Sequence, residues 1–323
     1  MGRIVVTGAA GFIGWRTSRK LLEKGMQVIG VDNMNDYYDV TLKTHRLEDL
    51  KKHGHFTFHR TDIEDLGAMD AIFVGNEIEA VINLAARAGV RYSLENPHIY
   101  MSTNAQGTLN LLELMRKYRV KKMVLASTSS LYAGQELPFS EDLPVNTPIS
   151  PYAASKKAAE AVAYSYHYLF QLDISVLRYF TVYGPAGRPD MSIFRFIKWI
   201  DEGTPIELFG DGSQSRDFTY IDDIAEGTVL ALGEVGYEVF NLGGGKDPQS
   251  LNYMIGKLEE YLGKKAAIEY KPFHKADMTE TKAAISKAGR LLGWEPMTGL
   301  DEGLEKTVSW YLANKNWLKD VKL

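Results

Sequence analysis

The sequence predicts an α/β fold built on a doubly wound parallel sheet, with a smaller α/β domain towards its C-terminal end. Three observations carry this. Short β-branched runs alternate with longer helical patterns through the first half of the chain. A glycine-rich turn stands between the first run and the first helical pattern. After Tyr183 the alternation stops and loops take over.

The expected strands are residues 3–7, 27–31, 56–60, 80–84, 121–126 and 174–179. Helical patterns lie between them, near 12–24, 42–52, 65–75, 104–118 and 152–170. A seventh strand, Val239-Phe240-Asn241-Leu242, comes later. Gly184-Pro185-Ala186-Gly187-Arg188-Pro189 is a loop by composition. Beyond it come a helix at 191–202, a short strand at Ile206–Phe209, the turn Gly210-Asp211-Gly212-Ser213, and helices near 249–262 and 279–291. Residues 1–183 plus 220–246 therefore read as a dinucleotide-binding domain, and 184–219 plus 247–323 as a substrate domain. Ligands of open α/β sheets bind at the carboxyl ends of the strands, which puts the expected site between the two.

Composition narrows the classes. A formal net charge of −4 argues against a general nucleic-acid binder. It leaves room for an anionic ligand held by a few cations in a cleft. The absence of Cys excludes disulfides and thiolate metal sites and fits a reducing, cytoplasmic setting. The first strand begins at Arg3, leaving no room for a signal segment, and no apolar run approaches the ~18 residues that span a bilayer. No membrane association is expected. His53, His55 and His59 have no supporting ligands and read as surface histidines, so no metal site is expected.

Thr7-Gly8-Ala9-Ala10-Gly11-Phe12-Ile13-Gly14 follows the first strand and opens a helix. Gly8 suits the tight turn, Gly11 lets the backbone approach a pyrophosphate, and Gly14 permits close helix packing. The helix N-terminus offers free N–H groups and a positive dipole to phosphates. The second strand ends at Asp32. An acid there accepts from ribose hydroxyls and repels a 2′-phosphate, so the Rossmann-like cofactor is expected to be NAD rather than NADP.

Tyr152-Ala153-Ala154-Ser155-Lys156 opens another helix, and its i, i+4 spacing puts Tyr152 and Lys156 on one face. A nearby ammonium is expected to lower the phenol's pKa, fitting it to take a proton from a sugar hydroxyl as hydride leaves. Ser127-Thr128-Ser129-Ser130 ends a strand upstream, and Thr128 is the candidate catalytic hydroxyl.

These three motifs resemble the extended short-chain dehydrogenase/reductases. Arg178-Tyr179-Phe180-Thr181-Val182-Tyr183-Gly184-Pro185 and Arg216-Asp217-Phe218-Thr219-Tyr220-Ile221-Asp222-Asp223-Ile224 extend the resemblance to nearly the whole chain. It implies tightly held NAD, a nucleoside-diphosphate sugar as substrate, and Thr128, Tyr152 and Lys156 in catalysis. It also implies Asp62 and Ile63 at the adenine, Leu84, Ala85 and Ala86 lining the cofactor, and Asn104 supporting the Lys156 network. Phe12, Ile13, Asn33 and Tyr179 complete the candidate cofactor set. Arg216 is expected at a substrate phosphate, Phe209 by the uracil and Asp277 near the nucleotide ribose.

Within that family, dehydratases carry Asp and Glu after the catalytic Thr, and decarboxylases a Glu at the second position. Here Ser129 and Ser130 stand there, which leaves epimerisation at C4. Asn35–Lys43, Ala88–Pro97 and Gly187–Met191 resemble UDP-glucuronate 4-epimerases more than UDP-galactose 4-epimerases. Thr128, Ser129, Ser130, Thr181 and Arg188 are the candidate carboxylate binders. UDP-glucose/UDP-galactose (or N-acetyl) 4-epimerisation is the alternative. The aromatic run Tyr164–Phe170 reads as packing, and with helix 104–118 it suits the homodimer contact usual in this family.

Overall fold

A computed structural model describes residues 2–273 and 278–323. The chain begins β1 (Arg3–Thr7), α1 (Phe12–Glu23), β2 (Gln27–Val31), α2 (Val40–Lys51), β3 (Phe56–His59), α3 (Leu66–Phe73) and β4 (Ile78–Asn83). Two short helices, α4 (Val90–Glu95) and α5 (Pro97–Tyr100), lead through a π-helical turn (Met101–Gln106) into α6 (Gly107–Tyr118). Next come β5 (Lys122–Thr128), a 3-10 turn (Ser129–Tyr132), α7 (Pro151–Phe170) and β6 (Asp173–Tyr179). The remainder runs β7 (Thr181–Tyr183), α8 (Ser192–Glu202), β8 (Ile206–Phe209), β9 (Ser215–Arg216), β10 (Phe218–Tyr220), α9 (Ile221–Leu230) and β11 (Tyr237–Leu242). It ends with β12 (Gln249–Ser250), α10 (Leu251–Leu262), β13 (Ile268–Lys271), α11 (Ser286–Leu292) and α12 (Leu300–Leu318).

Seven strands form one sheet in the order β11-β6-β5-β4-β1-β2-β3, every pair parallel. The β-branched strands are buried because helices cover both faces. One apolar layer joins Ile4 and Val6 to Trp15 and Leu21 of α1 and Ile224 of α9. The opposite layer joins Val5 and Val81 to Met69 of α3, Leu111 and Met115 of α6 and Ala159 of α7. From β1 the chain winds outward through β2 and β3, then returns to β4 on the other side and winds away through β5 and β6. The carboxyl ends of β1 and β4 thus flank the switch point where open α/β sheets bind ligands. A separate apolar cluster gathers α8, α10, α12 and β8 through Ile197, Leu208, Met254 and Val308.

The structure departs from the sequence expectation in the last third. The helix expected at 279–291 begins only at Ser286, and Ala283 instead bridges in parallel to Phe139. Helices α9 and α12 were not anticipated. Among the described residues, no helix is long and apolar enough to cross a membrane.

Candidate active site

The glycine turn is shaped by backbone crowding. Gly8 sits at φ +67°, and a Cβ there would lie 2.8 Å from the Ala85 nitrogen. A Cβ on Gly14 would lie 2.0 Å from the Gly8 carbonyl oxygen. Only hydrogen fits at either place, so α1 starts hard against the turn with its first N–H groups at the strand end. The Ala85 N–H donates to Thr7 Oγ1 at 3.1 Å, and that hydroxyl donates to Asn83 Oδ1 at 2.7 Å. Leu84, Ala85 and Ala86 are thereby fixed beside the turn. Phe12 is buried and Ile13 packs on the adjoining apolar layers.

Asp32 directly follows β2 and accepts from the Ala10 N–H at 3.1 Å and the Met34 N–H at 2.8 Å. Asn33 donates to Asp62 at 2.6 Å. Ile63 lies in the core, close under Gly107. The crowded glycines and the anchored acid fit a dinucleotide in its usual place. Behind the turn, fully buried Arg46 donates to the carbonyls of Ala10 (3.2 Å), Ala186 (2.7 and 3.0 Å) and Gly187 (3.0 Å).

Tyr152 stands in the first turn of α7, which starts where Ser150 accepts from the Ala153 N–H at 3.2 Å and Pro151 fits the opening position. Its phenol stands near the Thr128 hydroxyl at the end of β5, close enough for that hydroxyl to act on its pKa. Burial raises the phenol's pKa, while the Thr128 hydroxyl and the nearby Arg188 charge pull against it. The net shift is upward, which corrects the expectation of a phenol lowered by Lys156. The Lys156 ammonium donates instead to the Ala126 carbonyl at 3.0 Å. Burial lowers Lys156 to about 8, with Glu160 opposing the shift.

Glu160, two turns along α7 from Tyr152, belongs to a buried network. It accepts from Ser127 Oγ at 2.6 Å and from both Nε (3.0 Å) and Nη2 (2.8 Å) of Arg178. Arg178 also donates to Tyr132, which donates to Asn241, each at 2.8 Å. Burial disfavours the guanidinium charge, but Glu160 outweighs it and holds Arg178 protonated. Asn104 makes no direct hydrogen bond to Lys156. From the π-helical turn it binds the Arg87 backbone at 2.8 and 2.9 Å and Ser155 at 2.9 Å.

On the sugar side, Thr128 Oγ1 accepts from the Ser130 N–H at 3.1 Å, and Ser129 opens the following 3-10 turn. Thr181 pairs with Phe218 between β7 and β10. The Tyr179 hydroxyl faces the core, 2.8 Å from Thr228. Arg188 pairs with Asp190 at 3.0 and 2.5 Å and lies over the rings of Tyr37 and Tyr38. Tyr37 donates to the Ala88 carbonyl at 2.6 Å, and Tyr100 bonds the same carbonyl at 3.1 Å. The Tyr100 ring meets Tyr152 edge-on, centroids 6.0 Å apart. Thr128, Tyr152 and Arg188 are therefore brought together.

Phe209 and Arg216 form a second group on β8 and β9. The Arg91 guanidinium stacks 3.9 Å from the Phe209 centroid, and Arg216 donates to the Ser215 carbonyl at 2.8 Å. Asp277 lies outside the described residues. Sequence reasoning assigned no role to Lys43, Tyr37, Tyr100, Arg91 or Asp190. All five stand in or beside stretches singled out by resemblance, and their clustering depends on loops whose path the sequence does not give.

An acid directly after β2, a glycine turn at the switch point and a Thr–Tyr pair on β5 and α7 define a dinucleotide-dependent enzyme of sugar oxidation and reduction. Residues 4–243 match the NAD dependent epimerase/dehydratase family, and the chain belongs to it. It is 61% identical to a UDP-glucuronate 4-epimerase of Thermodesulfobacterium geofontis over 100% of both chains. A crystal structure of UDP-glucuronic acid 4-epimerase from Bacillus cereus, in complex with UDP-glucuronic acid and NAD, superposes with a TM-score of 0.90. That match is at 39% identity and covers 97% of this chain and 99% of the other. A UDP-glucose 4-epimerase from Thermotoga maritima with UDP-glucose gives 0.88 at 35% identity, covering 97% and 99%.

Proposed function

We infer that this chain interconverts UDP-glucuronate and UDP-galacturonate by NAD-dependent epimerisation at C4, through a transient 4-keto sugar. The observation that carries this is Tyr152 set beside Thr128 and within reach of the Arg188 charge, with serines rather than acids at 129 and 130. NAD, when bound, supplies the hydride acceptor and returns the hydride. Tyr152, in the phenolate form that the bound cofactor's positive charge would favour, takes the proton of the 4-hydroxyl and gives it back once the ring presents its other face. Thr128 shares that hydrogen bond. One hydride and one proton leave and return, so no reductant is consumed. No carboxylate follows Thr128 to eliminate water.

Thr128, Ser129, Ser130 and Thr181 donate to the uronate carboxylate, and Arg188 offsets its charge. Gly8, Gly11, Phe12, Ile13 and Gly14 hold the pyrophosphate, Asp32 and Asn33 the adenosine ribose, and Asp62 and Ile63 the adenine. Leu84 to Ala86, Asn104 and Lys156 complete the cofactor's surroundings, while the core-facing hydroxyl of Tyr179 removes it from that set. Phe209, Arg216 and Asp277 take the uridine diphosphate. The domain division at 184–219 plus 247–323 is supported by the separate apolar cluster of α8, α10 and α12. Exposed Tyr164, Tyr168 and Leu169 on α7 support a homodimer, and the lack of Cys supports a cytoplasmic setting. Light scattering of a Tyr168→Glu variant tests the dimer, with a monomer expected.

The decisive experiment incubates the purified protein with UDP-glucuronate and resolves products by chromatography and mass. UDP-galacturonate is expected without added cofactor. Arg188→Ala is expected to lower turnover about ten- to a hundred-fold, the effect of one charged hydrogen bond. Turnover of UDP-glucose with none of UDP-glucuronate overturns the uronate reading. A UDP-pentose as main product makes the enzyme a decarboxylase.

A further inference from the structure

The adenosine end of the cofactor cleft holds more positive charge than its acid requires. Lys43, in the first turn of α2, brings its ammonium to 3.6 Å from Asp32, and both side chains are only 6% exposed. The same ammonium donates to Asn35 Oδ1 at 3.2 Å and lies 5.3 Å from the centroid of the Tyr38 ring. Burial lowers the Lys43 pKa most, Asp32 opposes this, and Arg46 and Arg87 act on it as further positive charges. The hydrogen bonds of Arg46 run to carbonyls and the Tyr38 hydroxyl rather than to a carboxylate. The other nearby acid, Asp62, accepts from Asn33. Asp32 is thus the carboxylate that faces Lys43, while Arg46 and Arg87 add positive charge around that ammonium.

We propose that Lys43 is a coenzyme-specificity residue: paired with Asp32 it forms an edge that takes a ribose hydroxyl, and without the Asp32 charge it becomes the receptor for a 2′-phosphate. This rests on the family's NAD site, with Asp32 at the adenosine ribose. A carboxylate accepts from a hydroxyl and repels a phosphate dianion. Behind that carboxylate stands a compact ammonium, the point-charge partner phosphates accept. The selectivity for NAD thus resides in a single negative charge laid over a cationic pocket.

The test uses the purified protein with its bound nucleotide. Parent, Asp32→Asn, Lys43→Met and the double variant are each incubated with equal excess NAD and NADP. Free nucleotide is removed, the protein is denatured, and the retained NADP-to-NAD ratio is read by chromatography. Asp32→Asn keeps an oxygen for one of the two N–H groups, of Ala10 and Met34, that bond the two carboxylate oxygens, and Asp32→Ser serves in its place if a thermal melt shows the Asn variant unfolded. The ratio is expected to rise about ten- to a hundred-fold in Asp32→Asn, the range of one charge-assisted hydrogen bond. In the double variant it is expected to fall back to about that of Lys43→Met alone. A double variant that keeps the gain, or an Asp32→Asn variant that holds NAD without any gain in NADP, overturns the role of Lys43. A parent that retains neither nucleotide overturns the NAD site itself.

Discussion

Lys156 and Lys43 are both buried ammonium groups, and the two ends of the cleft hold them in opposite ways. Burial lowers the pKa of each. Lys43, beyond β2, faces a carboxylate at 3.6 Å. Lys156, beyond β5, donates to a carbonyl, while the closest acid on its helix is engaged by Arg178. The same desolvation therefore yields a fixed counter-charge at the adenosine end and a titratable donor at the catalytic end. A value of about 8 leaves Lys156 able to exchange a proton near neutral pH.

The largest expected effect tests whether the catalytic end works through the phenol. Tyr152→Phe keeps the ring against Tyr100 and removes the proton carrier, so turnover is expected to fall about 10^2- to 10^4-fold. Bound NAD, assayed after denaturation, is expected to stay. A variant within a few-fold of the parent takes Tyr152 out of the chemistry. Next in size is the support beneath Lys156. Arg178→Met strips Glu160 of its bidentate partner, and removing one member of a buried pair costs roughly 3–5 kcal/mol. Denaturant unfolding is expected to report that loss; an unchanged midpoint means the network is ornamental.

The two lysines are expected to differ in sign. Lys43→Met leaves buried Asp32 with only backbone donors and lowers stability by about 1–3 kcal/mol. Lys156→Met removes a charge whose depressed pKa, from 10.5 to about 8, corresponds to roughly 3 kcal/mol. Loss of the bond to Ala126 returns part of this, leaving a net gain on the order of 1 kcal/mol. The folded pKa lies below the unfolded one, so the parent carries the full cost below pH 8. It is relieved as pH rises from about 8 towards 10.5. Melts at pH 7 and 9.5 are expected to show Lys156→Met ahead at the lower pH and its lead shrinking at the higher. A Lys156→Met protein that melts below the parent at pH 7 breaks the comparison.

The parallel sheet was legible because each strand is a short β-branched run and each crossover helix a clear apolar period. Boundaries moved by a few residues, as where β5 runs on to Thr128. The glycine turn and Asp32 were legible because their roles are backbone roles. Helices α9 and α12 were not. Both carry an interior glycine, which reads as a break and is instead a close approach. A Cβ on Gly303 of α12 would lie 2.1 Å from the Tyr183 hydroxyl, and one on Gly227 of α9 would lie 2.8 Å from Trp294 Nε1. The partner that demands each glycine is far away in sequence. For the same reason Lys156 was misjudged: i, i+4 spacing puts it on the face of Tyr152, but the Ala126 carbonyl that captures its ammonium belongs to another element.

Arg46 has a bearing on how such enzymes diversify. Its guanidinium ties the cofactor turn to the loop that carries Arg188, and it does so through the carbonyls of Ala10, Ala186 and Gly187. A mount that grips this loop only by its main chain is blind to the side chains the loop presents. Residues on that loop are free to drift under selection for a new sugar while the loop stays anchored to the nicotinamide dinucleotide fold. Transplanting the loop from a relative should succeed where its backbone offers oxygens in the same places, whatever its side chains.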